Sequence, residues 1–366
     1  MRDLGGQLGG QQIPSRQDIR VSMRSVLILL YVLSFGFSHG CKNQGLVSQS
    51  DIVLKSDDKF KPQGPEKLSS TFLFQDMNNL MIRSQFVPYE VNLPFWSDGA
   101  QKKRWYYIPP TAKIKYNDNG GWKFPDGTIF VKHFSMMFGN VLGTRNLETR
   151  ILQKKEGRWV AFQYKWDSSQ TEAYLSTKLT KESMVVNNVK GIQEKFVYEY
   201  PSNYQCHSCH SDYSGPILGF ITPQLKNTGT LADLFRAKKL LNSPSSLDDL
   251  PEYSALTDAS VSLETRSQQY MQVNCGYCHY PSNDSGSEVV LNYEADYSKL
   301  ANAEAIMGDL DQGLEYIIVP GSKEQSVLWA RMNDLDMFRM PFTGSKRLDH
   351  EALEVIGQWI DSMPAN

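Results

Sequence analysis

"WVAFQYKW", residues 159–166, reads as a β-strand and decides the fold of the middle of the chain. Val160, Phe162, Tyr164 and Trp166 alternate with Trp159, Ala161, Gln163 and Lys165, so one face is apolar throughout and the other is mixed. A period of two is what a strand at a core surface requires. On either side, "AKIKY" before "NDNGG", "GTIFVKHF", "LETRILQKK" before "EGR", and "KFVYEY" repeat the plan of short β-type runs parted by turn residues. Residues 71–200 are therefore expected to form an antiparallel, sandwich-like β-domain.

After Pro201 the alternation stops and helical spacing takes over. It runs through "LADLFRAKKLL" (231–241), "SLETRSQQYMQVNCGYCH" (262–279), "EQSVLWARM" (324–332) and the last segment. In that last segment Leu353, Ile356, Trp359, Ile360 and Met363 form one apolar stripe, and Asp349 stands at the N-cap position. The expected order is a connecting segment with a linker helix over 201–260, then a mainly α domain over 261–366. "HEALE" (350–354) resembles a zinc-protease helix but lacks the second histidine, and is read as the opening of the last helix.

"CHSCH" (206–210) and "NCGYCH" (274–279) place two cysteines, two residues apart, ahead of a histidine twice in one chain. In a CxxCH sequence the thiols add to the vinyl groups of haem, and the histidine becomes the proximal ligand of its iron. Cys206, Cys209, His210, Cys275, Cys278 and His279 are thus expected to hold two covalently bound c-type haems. The alternative is one zinc ion held by four thiolates; the long, varied segment between the pairs and the repeated histidine argue against it.

An electron-carrying c-type haem also needs a second strong, soft ligand. Met340, ahead of Pro341 in "RMPFTG", is expected to fill that place for the second haem, with Met332 and Met337 as substitutes. No such pair follows the first motif before the second begins. His133 in "VKHF" is its first candidate, weighed against a strand histidine satisfied by hydrogen bonds, and Met136, Met137 and Met184 come next. With no side chain in that place, the first iron keeps an open site.

With 366 residues, 40% of them hydrophobic and 21% charged, and a net charge of -2, the chain has the balance of a soluble multidomain protein with no polyanion partner. Nucleic acid is not expected. Four of its five cysteines are in the two motifs, which leaves Cys41. It follows Met23-Arg24-Ser25, the run "VLILLYVLSFGF" and Ser38-His39-Gly40, a bacterial-type export signal too short to span a membrane. Translation is expected to start at Met23. The cysteine after Gly40 resembles a lipoprotein acceptor, with Ser38 where those signals prefer leucine; residues 1–41 are read as the export segment. Residues 42–70, polar and broken by Gly and Pro, are read as a tether.

From about Ser262 to Asn366 the chain resembles a class I cytochrome c domain: a helix into "NCGYCH", then "VPGSKEQSVLWARM", "MP" and a closing helix ending in "WI". Tyr89 to Met363 also resembles a family of bacterial dihaem c-type cytochromes of loosely defined role, through "PFWSDGAQKKRW", "FPDGTIFVKHF", "LETRIL", "YKWDSSQTEA", "CHSCH" and "VPGSKEQSVL". The resemblance implies two haems and redox work. The expected function is electron transfer outside the cytoplasm with redox partner proteins, the β-domain serving for docking or haem cover. The competing expectation is a haem oxidoreductase, acting on peroxide or a small substrate at an open first haem. A third is a β-domain that binds a ligand and haems that report it.

Overall fold

The computed structural model describes residues 64–365 apart from 119, 139–142, 188–190, 211–214, 282–287 and 306–312, and all of these belong to one compact unit. The export segment with Cys41, and most of the expected tether, lie outside the described residues. Among the described residues strand (28%) exceeds helix (22%), and the fold there is mostly β. Among the described residues no helix is long and apolar enough to cross a membrane.

A short hairpin of β1 (Phe74–Asp76) and β2 (Met81–Ile82) precedes the main sheet. That sheet joins β3 (Val87–Pro88), β4 (Gln101–Tyr107), β6 (Ile129–Met137), β7 (Thr144–Lys155), β8 (Arg158–Trp166) and β9 (Ala173–Ser176), in that order, all antiparallel. β5 (Ile114–Lys115) lies outside it, as do β10 (Thr180–Asn187) and β11 (Gln193–Tyr200), which pair only with each other.

Register assigns every side chain to a face. One face carries Trp105, Val131, Ile151 and Phe162 in a single cross-strand row, all buried. Residues 64–74 cover it. Phe74 meets Trp105 edge-on at 6.2 Å, Tyr164 Oη donates to Pro65 O (3.0 Å), and Leu68 is fully buried. The expected tether therefore ends earlier than its composition implied: its last seven residues, 64–70, belong to the folded body. A single leucine and backbone hydrogen bonds are enough to seat so short a run, which polarity alone does not reveal.

The other face is divided along its length. At one end Tyr106, Phe130, Leu152 and Ala161 form a row that packs on the fully buried Phe220 and on Leu225, Leu231 and Leu234. Phe220 meets five aromatic rings at 4.9 to 5.7 Å, those of Tyr89, Tyr106, Trp122, Phe124 and Phe130. At the other end Phe134, Met136 and Leu147 pack on Met184, Val186, Phe196 and Tyr200 of the β10–β11 hairpin. The second layer is thus a hairpin continued by helical segments, and not the second full sheet of a sandwich.

Those segments include α1 (Asn203–Cys209), α2 (Thr222–Leu225) and α3 (Thr230–Arg236). The spacing over 231–241 predicts one helix, but α3 stops at Arg236, and Leu240–Leu241 form β12, parallel to β5. Lys238 takes the left-handed conformation (φ 52°), and the chain turns there so that Lys239 O accepts from Ile114 N (2.8 Å).

Residues beyond 261 supply α4 (Leu263–Asn274), α5 (Val327–Met332) and α6 (His350–Ser362). α4 packs on α6 through Tyr270, Met271, Val355, Ile356, Trp359 and Ile360. Asp349 caps α6 as its position requires, accepting from Ala352 N (3.2 Å), and it also takes the Tyr270 hydroxyl (2.9 Å). The loop 92–99 fastens this part to the sheet. Gln224 exchanges two hydrogen bonds with the Leu93 backbone, Trp96 N donates to Asn274 Oδ1 (2.8 Å), and Asp98 accepts from Arg347 N (2.8 Å).

Candidate functional site

The first cysteine motif ends a helix and the second follows directly on one, and both helices have sequence-readable starts. Ser202 opens α1 with a reciprocal capping box to Gln205, which holds the helix against β8 and puts Cys206 and Cys209 one turn apart on one side. Ser262 caps α4 by accepting from Thr265 N, and Cys275 follows as its C-cap residue. Gly276 has to be glycine. A Cβ there would lie 2.7 Å from Gln272 O and 2.8 Å from both Asn292 Cα and Leu291 O, all backbone.

The histidines share one arrangement. His210 Nδ1 donates to Pro216 O (2.7 Å) and His279 Nδ1 to Val289 O (3.1 Å). A carbonyl can only accept, so Nδ1 carries the proton in both rings and Nε2 carries the lone pair. Burial lowers the pKa of both, that of His210 to about 4, and keeps the rings neutral. This is the tautomer a metal ligand needs.

The four motif cysteines are unbridged thiols. Burial pushes Cys206 to about 11 and Cys275 to about 12. A hydrogen bond with Cys209 raises Cys278 further, so the second cysteines of the two motifs touch across the fold. Among the described residues no group of three or more His, Cys, Asp or Glu side chains converges as a metal cluster.

A cavity of about 260 Å³ lies between the sheet, α1 and the end of α4. Cys206, Cys209 and His210 line it on one side, Arg104, Lys132 and Arg150 on the sheet side, and Gly276 and Tyr277 of the second motif close it. A much smaller pocket brings Cys275 together with Met340 and Met332, beside Trp96 and Tyr270. Met337 is not part of it and is 81% exposed.

His133 is not brought to the cavity. It alternates with Lys132 on β6, so its ring lies on the opposite face of the sheet, with Nδ1 2.9 Å from Thr149 Oγ1 and Nε2 3.1 Å from Asn146 Oδ1. It is a satisfied strand histidine, and its expected place as a ligand of the first haem is withdrawn. Met136 of β6 and Met184 of β10 are buried between the sheet and the β10–β11 hairpin, and Met137 is exposed. None of the three lines the cavity.

Arg104 belongs to "FWSDGAQKKRW", whose charges Asp98, Lys102, Lys103 and Arg104 read from sequence as a charged strand edge or, less often, a docking or anion site, whereas Lys132 and Arg150 carry no such signal. Arg104 ends the basic run of "KKRWYY", Lys132 and Arg150 stand inside the strands "FVKHF" and "LETRIL", and only the register shows that the three form a row. The mixed face of "WVAFQYKW" belongs to the same side: Gln163 stands opposite Arg150 and donates to Glu148 (2.7 Å).

No protein-family model, curated protein or solved structure matches the chain.

Proposed function

We infer that the chain is a dihaem c-type cytochrome that carries electrons outside the cytoplasm, with one haem attached at each CxxCH motif. One observation carries the reading: in both motifs a downstream backbone carbonyl takes the histidine Nδ1 proton, which presents Nε2 as the donor nitrogen. Nothing in a disulfide or redox-thiol role calls for that histidine geometry. The unbridged thiols and the cavity beside the first motif fit the same group.

A c-type haem supplies reversible one-electron transfer at its iron. Cys206 and Cys209 would bind one haem as thioethers, with His210 as iron ligand. Cys275, Cys278 and His279 would bind the other. Met340, which shares the small pocket with Cys275, would be its second iron ligand, and residues 261–366 would serve as its cytochrome c-type domain. The contact of Cys209 with Cys278 makes the two sets of anchoring residues neighbours, which favours exchange of electrons between them. Redox partner proteins load and unload the pair, the chain is exported, and a lipid on Cys41 holds it to a membrane.

Intact-mass measurement tests the reading, on protein made in a host that matures c-type cytochromes. The wild-type chain gains two haem masses; Cys206→Ala with Cys209→Ala loses one, and Cys275→Ala with Cys278→Ala loses the other. A wild-type chain at its bare mass refutes it.

A haem oxidoreductase is the second reading, and one observation favours it. Among the described residues lining the main cavity, His210 is the only histidine and there is no methionine. The first iron would then keep an open site for a small substrate. A high-spin signal from one of two haems, removed by an added exogenous ligand, supports this reading, and two low-spin haems contradict it.

A further inference from the structure

Three cations stand directly opposite one another on neighbouring strands, Arg104 on β4, Lys132 on β6 and Arg150 on β7, and all three line the main cavity. Like charges paired across a sheet destabilise it, so the row costs free energy until an anion meets it. The outer two have carboxylates of their own. Arg150 grips buried Glu148 through two hydrogen bonds (3.0 and 2.5 Å), and Arg104 reaches the exposed Glu90 at 3.4 Å.

Lys132, in the centre, forms no ion pair among the described residues; its Nζ lies over the rings of Phe95 and Phe134, 5.4 and 5.1 Å away. The carboxylates nearby are committed elsewhere. Glu148 also accepts from Gln163 and Tyr198, Asp98 accepts from the backbone N–H of Lys346 and Arg347, and Glu199 is paired with Lys181 and Lys346. Burial and the two neighbouring guanidinium groups hold the Lys132 ammonium well below its ordinary pKa, which an anion in the cavity would reverse.

We propose that the row Arg104–Lys132–Arg150 is a carboxylate-binding site on the sheet side of the cavity, with Lys132 as its central donor. A planar carboxylate can accept from Lys132 and one flanking guanidinium together. Two sources offer that chemistry: a propionate of the haem held at Cys206 and Cys209, or a small free carboxylate entering the cavity. Only the first rests on the haem reading.

The test uses full-length holoprotein, wild type against Lys132→Gln and Lys132→Arg, with haem per chain counted in every sample. Acetate is titrated at constant ionic strength while melting temperature and Soret absorption are followed. If a free carboxylate is the ligand, wild type responds saturably, Lys132→Gln binds about tenfold more weakly or worse, and Lys132→Arg stays close to wild type. If the haem's own propionate is the ligand, acetate has no saturable effect, and the propionate bending band in resonance Raman shifts in Lys132→Gln but not in Lys132→Arg.

No acetate response together with an unmoved propionate band overturns the proposal, as does a change of one haem from low to high spin in Lys132→Gln, which would make the amine an iron ligand. Should Lys132→Gln fail to accumulate, Arg104→Gln, one strand along the row, carries the same comparison. Absence of haem in wild type defeats the haem reading alone and leaves the acetate titration in force.

Discussion

Met340 and Met332 both reach the small pocket beside Cys275, and their sulfur atoms are chemically equivalent as ligands. Their backbones separate them: Met332 ends α5, whereas Met340 is pinned in a loop by its N–H to Arg331 O (2.8 Å). A Met/His pair raises a haem's reduction potential relative to two nitrogen ligands. Met340→His is therefore expected to lower the potential of one haem and leave the other, while Met332→Leu changes neither; potentiometric titration of the Soret band reads both. Asp98 offers a second single-residue test. Burial raises its carboxyl to about 7, against the hydrogen bonds from Arg347 and Lys346 that lower it. A carboxyl with a raised folded pKa contributes its full stability below the unfolded value and loses it as pH climbs through the folded one. Between about pH 4 and pH 7 the wild type should thus lose more stability than Asp98→Asn, whose amide oxygen still accepts from the same N–H groups. Equal slopes in urea titrations across that window would contradict this assignment. Lys102, lowered by burial to about 7, changes charge at the upper edge of the window and contributes little inside it.

At the scale of elements, Gly276 is the position where the least change does the most harm, because three backbone atoms surround the place a Cβ would occupy. Gly276→Ala is expected to cost about 2 kcal/mol or more by overpacking, and to lower haem attachment at the second motif before the first. Thermal melts and haem occupancy by motif measure it. The elements also show what a sequence reveals. β8 was legible because Val160, Phe162, Tyr164 and Trp166 alternate without a break, and α6 because its apolar stripe follows a capping aspartate. The end of α3 was not legible: Lys238 turns the chain inside a run of good helix formers, and Leu240 and Leu241 find a strand partner 126 residues earlier at Ile114 and Lys115. Long-range pairing of that kind leaves no local period. The same holds for the cation row, which exists only through register, and for His133, whose residue type suited a ligand while its strand parity turned it to the wrong face.

Across the whole molecule, the sequence divides into a β-rich part and a helical part, while the structure ties them into one body. The ties are specific: Arg347 holds Glu194 of β11 (2.9 Å) and Asp98 O (2.9 Å), Trp96 is bonded to Asn274 and Arg347, and Gln224 clasps Leu93. The two motifs also meet, through Cys209 and Cys278. Unfolding of the holoprotein in urea, followed by tryptophan fluorescence and by Soret absorption, is accordingly expected to give coincident transitions; a separate early loss of either signal would mean that the parts are independent. Whether the repeated motif holds two irons is decided by an alkaline pyridine spectrum with haem counted per chain, on protein from a host that matures c-type cytochromes. Two covalent haems per chain are expected. A chain without haem, carrying zinc or a Cys209–Cys278 disulfide instead, would contradict the haem reading.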